Sequence, residues 1–138
     1  MAHNPVYVQP DPVHAVIEYL RGLSEITALL PAEKIVSSIP AKGTAYPYVL
    51  VNFAGGADLT VGMEESTVQI DSVGGSKPQC QKIARTIRAA VIAIANDIVT
   101  DGVLAHGSTE LAPQWLPDEV PTPPLSRYTA RYSVILHP

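Results

Sequence analysis

Apolar residues recur every three or four positions at Val13, Val16, Ile17 and Leu20, a period that predicts a helix with one buried stripe. Asp11 is placed to cap this helix, Pro12 suits its first turn and Gly22 supplies a stop. A second short helix, capped by Ser24 and closed by Pro31, carries Ile26, Leu29 and Leu30, so an N-terminal helical hairpin is expected. The period then changes to two. Residues 34–39 read as a short strand ended by Pro40 and a Lys42-Gly43 turn. Residues 48–54 are apolar on both faces, Tyr48 and Leu50 against Val49, Val51 and Phe53, as in a strand covered on both sides. After a glycine loop from Gly55-Gly56 to Gly62, residues 66–73 alternate Val68 and Ile70 with Thr67, Gln69 and Asp71.

The longest periodic run extends from about Lys77 to Ile98. Ser76 with Gln79 forms a capping-box pattern at its start, and Pro78 is tolerated in the first turn. One stripe holds Cys80, Ile83, Ala84, Ile87, Val91, Ile94, Ala95 and Ile98. The opposite face begins with Lys82 and Arg85 and turns apolar at Ala89, Ile92 and Ala93. A helix apolar nearly all round is usually covered on both sides; in so small a chain, the second cover is expected to be another subunit. Strands return at 103–106, 110–116 and 127–137, the last two separated by the proline-dense acidic loop 117–125. These elements predict an α+β fold: a single domain over 1–138, with a mostly antiparallel or mixed β-sheet packed against one long helix. Residues 1–11 read as an extended N-terminal arm.

Composition narrows the function classes. Hydrophobic residues make up 46% and charged residues only 16%, which fits a folded soluble domain. A formal charge of −4 argues against nonspecific nucleic-acid binding, which calls for a basic excess. Cys80 is the only cysteine, so no intrachain disulfide can form. The first residues lack a basic and an apolar region of the signal-peptide kind, and no apolar run is long enough to cross a bilayer. No membrane association is expected.

The turn Gly74-Gly75-Ser76-Lys77 raises the question of a phosphate cradle. A P-loop needs two glycines four residues apart before Lys-Ser/Thr, and Pro78 deletes an N–H that an anion would use. The simpler reading is that the glycines reverse the chain and Ser76 caps a helix, leaving Lys77 as a solvated or interface charge. His3, His14, His106 and His137 are scattered without metal-ligand spacing. Cys80 lies on the buried stripe, which favours packing over reactivity, and Ser66, Ser72 and Ser76 lie outside any G-x-S-x-G elbow. Neither a metal, a cofactor nor a catalytic residue is expected. Arg85 and Arg88 form a modest basic patch, and Trp115 between Pro113 and Pro117 reads as a loop anchor or an interface anchor. The interface candidates are therefore Arg85, Arg88, Ala89, Ile92, Ala93 and Trp115.

The succession of segments carries a resemblance. "VHAVIEYLRGLSEITALLP" is followed by "YPYVLVNF", then by "STVQIDSVGGSKPQCQKIARTIRAAVIA", and "SRYTARYSVIL" closes the chain. This order, over residues 13–137, resembles the tail-terminator or tail-completion proteins of long-tailed bacteriophages and related minor tail and neck proteins. The arm and the proline-rich loop fall outside the shared pattern. The resemblance implies a structural virion protein without catalysis or cofactor, assembled in the host cytoplasm and placed at the tail–neck junction. It implies a homo-oligomer, a hexameric ring that caps the last ring of major tail protein and meets a head-side neck or connector protein. DNA would pass through the lumen without specific binding. Asp58, Glu64, Glu65, Asp118 and Glu119 are the candidates to line that lumen, where acid repels phosphate, or to contact a neighbour. A head-closure or other neck protein of the same junction is the alternative within this class. From other classes come a small-ligand or nucleotide-binding domain using the Gly74–Lys77 turn and a small hydrolase; the hydrolase has no supporting constellation.

Overall fold

The computed structural model describes residues 3, 5–6, 8–41, 46–60 and 62–138. Along the chain run α1 (Pro12–Arg21), α2 (Ser24–Thr27), a 3-10 turn (Ala32–Lys34), β1 (Ile35–Val36), β2 (Tyr48–Thr60) and β3 (Met63–Val73). Then come α3 (Lys77–Ile92), β4 (Ala95–Val99), β5 (Gly102–Trp115) and β6 (Arg127–His137). The six strands form one sheet in the order β1-β2-β3-β6-β5-β4. The β1–β2 pair is parallel and every other pair is antiparallel.

The described residues are mostly β, 45% strand and 26% helix, and the sheet curls into a half-barrel. This corrects the expected α+β arrangement of a sheet packed against one long helix behind a helical hairpin. Three local causes account for the difference. First, α3 stops at Ile92 instead of running to Ile98, although the apolar period continues. The Ala93 N–H closes the last turn on Ala89 O at 3.1 Å. Asp97 Oδ2 then takes the Ala95 N–H at 2.8 Å and Asn96 adopts a left-handed φ of 54°. Short polar side chains that capture nearby N–H groups compete with the helix, so residues 95–99 become β4, and Ile98 is 86% exposed rather than on the buried stripe.

Second, the glycine segment after residue 54 is strand, not loop. β2 and β3 stay paired from Tyr48↔Val73 to Thr60↔Met63, and register shifts after Phe53 and Asp58 absorb the irregularity. Third, β5 is continuous through Pro113. Register shifts between Leu104/His106, Thr109/Leu111 and Leu111/Gln114 accommodate it, and this half of β5 has no partner on its outer side among the described residues, which is where a proline is tolerated.

The hairpin is reduced to α1 and one helical turn. Asp11 caps α1 through Val13 N at 2.9 Å as its position predicts. Ser24 instead opens α2 without a side-chain cap, the cap position being Leu23. The expected strand 34–39 shrinks to two residues, because residue 34 belongs to the 3-10 turn and residues 37–39 leave the sheet as irregular backbone. The Lys42-Gly43 turn lies outside the described residues.

The helices cover one face of the sheet, called here the helix side. Val16 and Leu20 of α1 and Ile83, Ile87 and Val91 of α3 pack there on Val49, Val51, Val68, Tyr132 and Val134. The other face of β2 is also covered: Tyr48 and Leu50 join Val73, Val36 and Leu125 in a second cluster. The two-sided pattern of residues 48–51 therefore has its cause in two separate apolar clusters. Leu125 is brought there by the proline-rich loop, whose ends are tied by paired backbone bonds between Asp118 and Leu125 at 3.0 and 2.8 Å.

Candidate protein–protein interface

The Gly74–Lys77 turn joins β3 to α3. Gly74 and Gly75 both take positive φ, 92° and 73°, which glycine adopts without strain. The Gly74 N–H is used by Ser126 O at 2.8 Å, and Ser76 Oγ accepts the Gln79 N–H at 3.2 Å. Lys77 turns away from the loop and places its ammonium over the Trp115 ring. Trp115 in turn packs on Tyr128. The turn therefore lacks the converging lysine of a phosphate cradle, and it acts as a capped joint. Cys80, one helical turn later, is fully buried with Ala84 and Tyr128. Burial pushes its thiol pKa up, against a smaller opposing effect from the Tyr128 backbone, and its sulfur lies 3.0 Å from Ser72 O. This is a packing cysteine.

The outer face of α3 is exposed along its length. Lys82, Arg85, Arg88, Ala89, Ile92 and Ala93 are all solvent-facing, and a shallow depression of about 540 Å³ runs beside Pro78, Gln81, Lys82, Arg85, Thr86 and Ala89. Lys82, Arg85 and Arg88 form no ion pair among the described residues. Arg88 lies close enough to the Tyr132 hydroxyl to favour its ionised form slightly, but burial dominates and pushes the Tyr132 pKa up to about 12. Five of the six sequence-chosen interface residues thus share one helix face; Trp115 sits apart, at the end of β5.

The five acidic candidates do not share one surface. Asp58 and Glu64 are directly opposite each other in the β2–β3 register. Strand alternation from Val68 and Ser66 puts both on the helix side, beyond the helices. A Cβ added at Gly56 would stand 3.2 Å from Glu64 Oε1, so this carboxylate lies across the glycine on the same side. Glu65 points to the other face, where Ser133 Oγ donates to it at 2.8 Å. That face also carries Asp71, held by Thr129 Oγ1 and by Gln69 Nε2, and Glu110, held by Thr67 Oγ1 at 3.1 Å. Asp118 and Glu119 belong to the loop after β5, where Asp118 Oδ1 accepts the Val120 N–H at 3.2 Å.

Phe53 and Leu59 are surface features that the sequence does not announce. Phe53 is 56% exposed, on the helix side by its register with Val68. It looks like a core residue by alternation alone, and a register shift follows it directly, between Phe53 and Gly55. Among the described residues no group of three His, Cys, Asp or Glu side chains could hold a metal ion, and no helix is long and apolar enough to cross a membrane.

Comparison with known proteins places this architecture. No curated protein matches the chain in sequence. A solved chain from the virion of a native gene transfer agent particle superposes with a TM-score of 0.66 over 92% of this chain and 95% of its own, at 13% identity. At that identity the likeness speaks for the fold alone. The family model described as tail completion protein gp17 matches residues 14–114, from α1 through most of β5. The chain therefore belongs to the tail completion protein gp17 family and is a structural protein of a phage tail.

Proposed function

We propose that this chain is a tail terminator. Copies of it form a ring, of six subunits on the family resemblance, that caps the last ring of major tail protein. The ring ends tube growth and offers its opposite face to a head-side connector. The observation that carries this reading is the family match across residues 14–114. The outer face of α3 adds support, since Ala89, Ile92 and Ala93 are apolar and solvent-facing in the isolated chain, as a subunit-contact surface requires.

In such a ring the face of the sheet away from the helices, with Glu65 and Glu110, suits a DNA passage. Fixed carboxylates there repel phosphates and keep the moving duplex from sticking. Asp118 and Glu119 would add to this charge from the adjacent loop. The deciding experiment is removal of the chain from the particle that carries it, followed by electron microscopy. Tails of uncontrolled length beside unattached filled heads are expected. Tails of normal length that merely fail to attach would assign the chain to head closure instead.

A further inference from the structure

We infer that the acidic end of the β2–β3 hairpin of one copy docks on the outer face of α3 of the next. The inference rests on the ring reading above and names the two surfaces that make the ring.

Charge is unevenly distributed along the chain. α3 carries four of the nine Lys and Arg residues and none of the 13 Asp and Glu residues. Lys77 is engaged with Trp115, which leaves Lys82, Arg85 and Arg88 facing solvent without an ion-pair partner among the described residues. Beside them lie the exposed apolar side chains of Ala89 and Ile92, and the shallow depression lined by Lys82, Arg85 and Ala89 gives a partner somewhere to seat.

The hairpin has the complementary composition. Asp58 and Glu64 are a directly opposed pair of like charges, an arrangement that is unfavourable unless a cation lies nearby. No described residue supplies that cation by hydrogen bond or ion pair. Phe53, on the same side of the strand, exposes more than half of its surface, and Leu59, in the register shift at the hairpin end, is 46% exposed. Acid with apolar residues thus faces base with apolar residues, and the apolar parts would supply the desolvated centre that charge alone does not.

The two surfaces do not meet within the chain: no hydrogen bond or ion pair joins Asp58 or Glu64 to Lys82, Arg85 or Arg88. β2 lies near one edge of the sheet, whereas α3 packs over β5, β6 and β3 on the way to the other edge. Two different, complementary patches give a heterologous, head-to-tail contact, and a contact of that kind closes into a ring when the rotation per subunit allows.

The test is charge reversal with rescue, read as ring formation by light scattering and electron microscopy of the full chain, alone and on isolated tail tubes. The paired reversals Lys82→Glu with Arg85→Glu, or Asp58→Arg with Glu64→Arg, are expected to abolish rings while leaving the thermal unfolding of the monomer unchanged. Combining all four in one chain is expected to restore rings. A second measurement avoids reliance on charge: Asp58→Cys with Arg85→Cys should give disulfide-linked oligomers under mild oxidation, since Cys80 is buried. Rings that form normally in either reversal, or that show no link between the two introduced thiols, overturn the docking and leave the ring reading standing. A wild-type chain that forms no ring even on tail tubes overturns both. Reversal of Lys82 and Arg85 that spares rings but blocks tail-tube attachment would give the α3 face to the tail protein and overturn the inference.

Discussion

Lys77 holds its ammonium 4.5 Å from the centroid of the Trp115 ring, and Trp115 lies 5.3 Å from the ring of Tyr128. The lysine that could have been taken for a phosphate ligand is thus spent on fastening the start of α3 to the end of β5. At a partly exposed site such a contact is worth about 0.5–1 kcal/mol. Lys77→Ala is expected to lower stability by that amount and to change the emission of Trp115, the chain's one tryptophan. Lys77→Arg should preserve both. Denaturant titration followed by tryptophan fluorescence checks it, and a loss well above ~2 kcal/mol would contradict a surface contact.

The end of α3 gives a second prediction. Asn96 has φ 54°, a region that costs a residue other than Gly, Asn or Asp about 1–2 kcal/mol. Asn96→Val should destabilise by about that much and Asn96→Gly should be close to neutral. Asp97→Ala, which removes the acceptor for the Ala95 N–H, should cost about 0.5–1.5 kcal/mol. Thermal unfolding of the three variants separates these effects.

The buried tyrosines predict alkaline sensitivity. Burial raises the pKa of Tyr132 from 10.0 to about 12, and it raises those of Tyr19 and Tyr48 as well. A raised folded-state pKa means that the unfolded chain loses its protons first. Stability from these groups is complete below pH 10 and falls as pH climbs toward 12. Denaturation series across that window should show the decline, and Tyr132→Phe should make it shallower. A slope unaltered in Tyr132→Phe would place the titrating groups elsewhere.

Ile92, 53% exposed at the last turn of α3, offers a test of assembly apart from charge. Ile92→Asp should leave unfolding within about 0.5 kcal/mol of the parent, as for ordinary surface changes, while blocking ring formation. An unfolded monomer would show that the side chain belongs to the chain's own core.

Much of the architecture was legible because the cues were local. Asp11 and Ser76 announced their helices by capping chemistry, and the alternation of Tyr128, Ala130, Tyr132, Val134 and Leu136 gave β6 its true bounds. Sequence pattern and structure part where two local signals conflict. Apolar spacing carried the expected helix through Asn96-Asp97, whose side chains favour a turn, and the turn prevailed. Gly55 and Gly56 read as a loop, yet pairing with β3 kept them in a strand at the cost of irregular register. The exposed half of α3 was visible from composition, whereas the opposition of Asp58 and Glu64 depends on register and cannot be read from a linear sequence.

The register shifts in β2 and β5 have a consequence for how the protein behaves before it finds its place. From residue 52 on β2 and from 107 on β5, both strands lack an outer neighbour among the described residues, and such open borders invite other chains to add on as further strands. Extra residues that break the regular spacing of N–H and C=O groups make each border a poor template. Such borders leave association to side chains, where it can be specific and can stop.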